Sequence, residues 1–145
     1  MKAAPVTYAK VRVTFDHPIE KVWAAVADFG GIARWIAGVS GCTVEGEGVS
    51  AVRTVHIGNR TTRERLELLD PDTRVLRYSI LPPHALPAQN VHSDIELARL
   101  DESRTALVWS SHATDFTEPP EQLGTRIERF YMRSLDGLAR LLDNA

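Results

Sequence analysis

Apolar and polar positions alternate over residues 6–15, VTYAKVRVTF, with Val11, Val13 and Phe15 on one side and Arg12 and Thr14 on the other, which predicts a strand. The period then changes. Ile19, Val22, Trp23, Val26 and Phe29 recur at helical spacing behind DHPIE, where Pro18 suits the first helical position, Asp16 or His17 can cap and Glu20 adds a carboxylate to the first turn. Gly30-Gly31 breaks this helix, and IARWIAG leaves room only for a second short one before Gly38. From about residue 40 to 116 the chain falls into short β-like runs between turn signals: CTVEGEG, AVRTVHIGN, TRERLELLDPD, TRVLRYSILPP, NVHSDIELARLDES and RTALVWSSHATDF. Six such runs predict an antiparallel meander. Behind Pro119-Pro120, Leu123, Ile127, Phe130, Tyr131, Leu135, Leu138, Leu141 and Leu142 form one stripe of a long helix, opposite Glu121, Arg126, Arg129, Arg133, Asp136 and Arg140. The order strand, two short helices, six strands, long helix is that of an α+β domain with a curved sheet and a helix across one face.

The same pattern selects a register, because a slip of one residue moves every side chain to the other face. Pairing Glu64, Leu66 and Leu68 with Leu76, Tyr78 and Ile80, through a turn at Pro71-Asp72-Thr73, gives one apolar and one charged face. Glu64 is then the exception, a carboxylate among aliphatic residues and a tyrosine. On the next strand His92, Asp94 and Glu96 share a face, a row that could suggest a metal site or a catalytic dyad; Val91, Ser93, Ile95 and Leu97 are the set that should be buried, so the His-Asp-Glu row is expected to face water as a solvated one. For the last strand the pattern does not choose between Leu107, Trp109 and Ser111 and the set Val108, Ser110 and His112, although the bulk of Trp109 favours the first; His56 is equally open.

The 145 residues suit one domain spanning 1–145, with a net charge of −2 and no massed basic residues, so no nucleic-acid partner is expected. The first ten residues, MKAAPVTYAK, hold no signal-peptide core and no segment approaches membrane-spanning length; a cytoplasmic protein without integral membrane association is the expectation. Cys42 stands alone, which removes an intramolecular disulfide and a cysteine-based metal cluster. There is no Gly-rich phosphate loop, His-Glu-x-x-His motif or nucleophile elbow, and the five histidines (His17, His56, His84, His92, His112) lack metal-ligand spacing along the chain. Neither a metal nor a nucleotide cofactor is expected.

HPIEKVWAAVADFGGIARWIAGV, TRERLELLDPDTRVLRYSIL, TALVW and the terminal helix together resemble the polyketide cyclase/dehydrase group of the START-like superfamily, over residues 6–142. The resemblance implies a helix-grip fold, in which a seven-stranded sheet wraps the C-terminal helix and leaves a cavity between them. Domains similar in this way bind lipids, hormones or quinones, or guide polyketide cyclisation and aromatisation, so the fold alone does not choose a reaction.

A cavity of ordinary ligand-pocket size, roughly 300–1,000 Å³, would cost on the order of 7–24 kcal/mol if dry and empty, so it must be wet, filled or smaller. Trp35, Glu64, Leu66, Tyr78, Ile80, Ser93, Trp109, Leu123, Ile127 and Tyr131 are the expected ligand contacts. Glu64 and Tyr78 are the candidate catalytic pair: burial would raise the carboxyl pKa into the range of a useful acid or base, and the phenol can donate to it or to a substrate carbonyl. Glu64 can equally be tied to an arginine or a backbone amide, with a purely structural role, or orient a ligand. Trp23 reads as core; Trp35, after the Gly-Gly break, is expected to lean over the cavity mouth, and Tyr131 is open between core and ligand contact. LPPHALPAQN, residues 81–90, is a proline-stiffened lid or strand terminator carrying His84, with GNRTT, residues 58–62, across the same opening.

Three functions follow. The first is binding of a small hydrophobic or aromatic molecule. The second is a polyketide cyclase/aromatase-like enzyme using the same cavity, and the third a partner-binding module with a vestigial one. Nothing in the pattern separates a monomer from a homodimer.

Overall fold

A computed structural model describes residues 3–145. One seven-stranded antiparallel sheet is built from β1 (Val6–Phe15), β2 (Val39–Glu45), β3 (Val52–Ile57), β4 (Arg60–Asp70), β5 (Val75–Ile80), β6 (Gln89–Asp101) and β7 (Arg104–Thr114). Its order is β1-β7-β6-β5-β4-β3-β2, so the meander closes with β1 beside β7 and leaves β1 and β2 as edges. Helix α1 (Ile19–Val26) follows β1, and helix α2 (Pro120–Asp143) ends the chain. This is the helix-grip architecture of an α+β fold. The second expected short helix is reduced to a single 3-10 turn at Ile32–Arg34. No helix among the described residues is long and apolar enough to cross a membrane.

Pro18 is the residue before α1 rather than its first, and neither Asp16 nor His17 caps the helix. His17 Nε2 instead lies 2.7 Å from Asp143 Oδ1, tying the start of α1 to the end of α2. Trp23 is core, as expected.

Two glycines let α2 lie close on its neighbours. A Cβ at Gly124 would stand 2.0 Å from the Tyr8 carbonyl oxygen, and one at Gly137 would stand 2.3 Å from that of Trp35. Glu128 of α2 reaches the edge strand, where its Oε2 accepts from the Lys10 amide at 2.9 Å and satisfies a backbone donor that no strand covers. Ser134 Oγ likewise accepts from the Ala37 amide at 3.0 Å. Helix α2 thus meets β1 along its first half and the segment before β2 along its second.

The register follows the apolar pattern with one exception. Glu64 pairs with Ile80 and Leu66 with Tyr78, but the register shifts between Leu66 and Leu68, so Leu68 faces Arg77 and Leu69 faces Leu76. The bulge moves Leu68 off the inner face and puts Leu69 against the core in its place. Leu107, Trp109 and Ser111 turn inward and are fully buried, which resolves β7. His56 is on the outer face and exposed.

Candidate functional site

Between the concave face of the sheet and α2 lies a cavity of about 550 Å³. Ile32, Ile36, Val55, Ile80, Ile127 and Phe130 supply much of its apolar wall, and Tyr8, Arg53, Glu64, Tyr78, Ser111 and Tyr131 its polar groups. The mouth is bordered by Arg60, Thr61 and Thr62 at the start of β4, and by Pro83, His84, Ala85 and Leu86 from the segment before β6. The two loops expected to flank one opening do so.

Of the ten expected contacts, Glu64, Tyr78, Ile80, Trp109, Ile127 and Tyr131 line this space, and Trp35, Leu66, Ser93 and Leu123 do not. Trp35 is 4% exposed and rests in the core. Its ring meets Trp109 at a centroid distance of 5.7 Å, so it braces a lining residue rather than leaning over the mouth. Its Nε1 is buried and has no hydrogen-bond partner among the described residues. Leu66 and Leu123 are packed in the core. Ser93 stands one bond back from the cavity, its Oγ 2.8 Å from Ser111 Oγ and 3.1 Å from the Tyr131 hydroxyl.

Glu64 does not sit alone among apolar groups. Arg53, its direct partner across β3 and β4, donates from Nε to Glu64 Oε1 at 2.8 Å. A second nitrogen, Nη1, donates to the Phe29 carbonyl at 3.0 Å. The guanidinium carbon lies 4.2 Å from the Phe29 ring centroid and 4.8 Å from that of Tyr78, so the cation is held between two aromatic faces. Arg53 is 3% exposed. Arginine suits such a position because its planar fork can bind a carboxylate and a carbonyl while stacking on rings.

The hydroxyls form a second system. Ser111 Oγ donates to the Tyr8 hydroxyl at 2.7 Å, and the Trp109 indole N–H donates to the Tyr78 hydroxyl at 3.3 Å. Tyr131 stacks on Trp109 with centroids 3.8 Å apart and planes 8° from parallel. Burial, with the Glu64 charge adding to it, pushes the Tyr78 hydroxyl up to about 12. Burial also raises Tyr8 and carries Tyr131 well above the usual phenol value. All three are therefore protonated near neutral pH, and they offer hydroxyl donors and acceptors rather than bases.

A dry void of about 550 Å³ would cost about 13 kcal/mol, comparable to a whole domain's net stability. Three phenols, a serine and an ion pair make the space habitable for water, and for a ligand that replaces that water.

Arg53, Tyr8, Ser111 and Phe130 were absent from the expected set. Arg53 had a legible signal. Gly58 at φ 58° turns the chain between Ile57 and Arg60, which pair across a two-residue loop. That register alone sets position 53 opposite 64.

The family model described as polyketide cyclase / dehydrase and lipid transport matches residues 7–143. The chain belongs to that family. Among solved structures it is similar to a Thermobifida fusca protein determined by NMR, with 26% identity and a TM-score of 0.83 over 94% of this chain and 93% of that one. An uncharacterised Bacillus thuringiensis protein shares 20% identity at a TM-score of 0.82, covering 96% and 98% of the two chains. The Zhui aromatase/cyclase of Streptomyces sp. R1128 shares 21% identity at a TM-score of 0.78, covering 97% and 94%. These likenesses establish a common fold. Among curated proteins none matches the sequence significantly.

Proposed function

We propose that residues 1–145 act as one ligand-binding domain, which takes up a small, neutral, largely aromatic molecule bearing carbonyl or hydroxyl oxygens. The observation that carries this reading is the Arg53–Glu64 pair set into an otherwise mainly apolar cavity of about 550 Å³. Apolar walls reward burial of hydrocarbon at about 25 cal/mol per Å². The two charges cancel, so the site favours a neutral ligand over an anion, while free lone pairs and N–H groups beside Tyr78 orient its oxygens. The segment 83–86 and the start of β4 supply the rim through which such a molecule enters.

The test uses 2-naphthol as probe. Thermal unfolding and calorimetry should show a raised melting temperature and one binding site per chain, with 2-naphthoate weaker. Ile127→Trp, which projects an indole into the cavity, should abolish binding while leaving the protein folded. No shift with 2-naphthol or with other neutral aromatic ketones and phenols would overturn the proposal.

A second reading is supported by the contact of Arg53 with both Glu64 and the Tyr78 ring. Arg53 and the protonated Tyr78 hydroxyl would polarise a ketone of a bound poly-β-ketone, and Glu64 would accept the α-proton, giving an enolate whose carbon attacks a second ketone; Glu64 returns the proton to the alkoxide so formed, and loss of a further α-proton with that hydroxyl releases water. Glu64→Gln should then retain 2-naphthol binding and lose turnover of such a substrate. Unchanged turnover removes Glu64 from the chemistry.

A further inference from the structure

On the convex face of the sheet, away from the cavity, the fold assembles three groups that lie apart in the sequence. His92 and Asp94 are two residues apart on one side of β6, and His112 of β7 is the direct cross-strand partner of His92. One ligand atom from each lies within 4.8 Å of the others. We propose that His92, Asp94 and His112 form a binding site for a borderline divalent cation of the zinc type.

The surroundings arrange each donor for that task. Arg77 Nε donates to Asp94 Oδ1 at 2.6 Å, which fixes the carboxylate and leaves Oδ2 turned toward His112. Oδ2 lies 3.2 Å from His112 Nε2. On the other side of that ring, Nδ1 is 2.8 Å from Thr7 Oγ1 on β1. When Thr7 accepts the Nδ1 proton, Nε2 carries its lone pair toward Asp94, the outer-sphere arrangement that presents a histidine to a metal. Ser110 Oγ stands 3.1 Å from the same Nε2 and can donate to that lone pair. The His92 ring stacks on His112 with centroids 4.9 Å apart and planes 25° from parallel, so the two nitrogens are neighbours, and sharing one ion requires the His92 ring to turn out of the stack.

Ligand atoms around a tetrahedral zinc stand about 3.3 Å apart, given zinc–nitrogen bonds near 2.05 Å. Closing the gap from the observed spread takes a turn of the His92 ring about its Cβ–Cγ bond, away from the stack on His112. Two imidazoles and one carboxylate exclude calcium and magnesium, which prefer all-oxygen sets, and favour zinc, cobalt or nickel. The solvent side leaves a fourth position for water. Arg77 opposes the incoming charge, so the site is weaker than the same three ligands without a neighbouring cation. Along the chain only His92 and Asp94 fall on one face together; the pairing of β6 with β7 adds His112.

The experiment is calorimetric titration of the tag-free full chain with zinc chloride, repeated with cobalt chloride and read by visible absorption. One equivalent should bind, and the cobalt form should show the intense bands of a four-coordinate ion. His92→Phe keeps the ring stack and removes a ligand nitrogen, and it should weaken binding by about tenfold or more. Asp94→Asn should act in the same direction, whereas His84→Ala should leave zinc binding unchanged. No binding at about 1 mM zinc, or binding that His92→Phe does not alter, would overturn the proposal.

Discussion

Replacing Arg53 by methionine removes a buried cation and keeps most of the side-chain volume. The consequences can be worked from its contacts. The 2.8 Å bond to Glu64 is lost, as are the 3.0 Å bond to the Phe29 carbonyl and the stacking on Phe29 and Tyr78. Glu64, with its side chain 13% exposed, is left as a carboxylate facing the cavity with no partner. Unit charges about 4 Å apart at an effective dielectric near 20 attract by about 4 kcal/mol, and breaking a buried pair from one side costs about 3–5 kcal/mol. The cavity can hydrate the orphaned carboxylate, which places the expected loss near the lower end, about 3 kcal/mol. Glu64→Leu alone should cost less, because Arg53 keeps the Phe29 carbonyl and both rings. The double variant should be less destabilised than the sum of the two by about 2 kcal/mol, since neither charge then remains to be satisfied. Urea unfolding of the four proteins, with slopes compared to confirm a common unfolded state, measures the coupling. Additivity within about 0.5 kcal/mol would show that the pair is not an energetic unit, and the argument that Arg53 fixes Glu64 would fail.

Tyr78 gives a pH prediction. Its folded-state pKa of about 12 lies above the ordinary 10.0, so the stability linked to its proton is complete below pH 10 and lost as pH rises through 12. Two units correspond to about 3 kcal/mol. Tyr78→Phe should therefore flatten the alkaline fall in stability over that interval, as read by denaturant unfolding at a series of pH values; an unchanged profile would contradict the burial argument. Gly124→Ala and Gly137→Ala should each destabilise by about 1–3 kcal/mol, because the added Cβ meets a carbonyl oxygen at 2.0 or 2.3 Å. Wild-type melting temperatures in both would show that α2 does not depend on this close approach.

The sheet and both helices were legible because each buries one face, which writes a period of two or of 3.6 into the chain. What escaped has local causes. The bulge after Leu66 adds a residue to β4 without disturbing its composition, so alternation alone placed Leu68 inside and missed Leu69. Glu64 is legible as an inward carboxylate because it shares a face with Leu66, whereas its arginine partner is set by the β3–β4 hairpin register through the turn at Gly58, which apolar alternation alone does not carry. Trp35 shows the limit of residue type: a large aromatic after a helix break can face a cavity or brace the residue that does, and only the packing against Trp109 decides. Ser93 and Ser111 look alike in the pattern, yet one lines the cavity and the other stands behind it. The outward placing of His92, Asp94 and Glu96 was read from charge, but Asp94 is 7% exposed on that face, shielded where Arg77 and His112 converge on it.

If the space between the sheet and α2 receives a neutral aromatic molecule, intermolecular NMR contacts from bound 2-naphthol should reach the Ile80 and Ile127 methyl groups and the Tyr78 ring, all three of which line it. Contacts confined to the exposed surface, or none at ligand concentrations that saturate the protein, would contradict it.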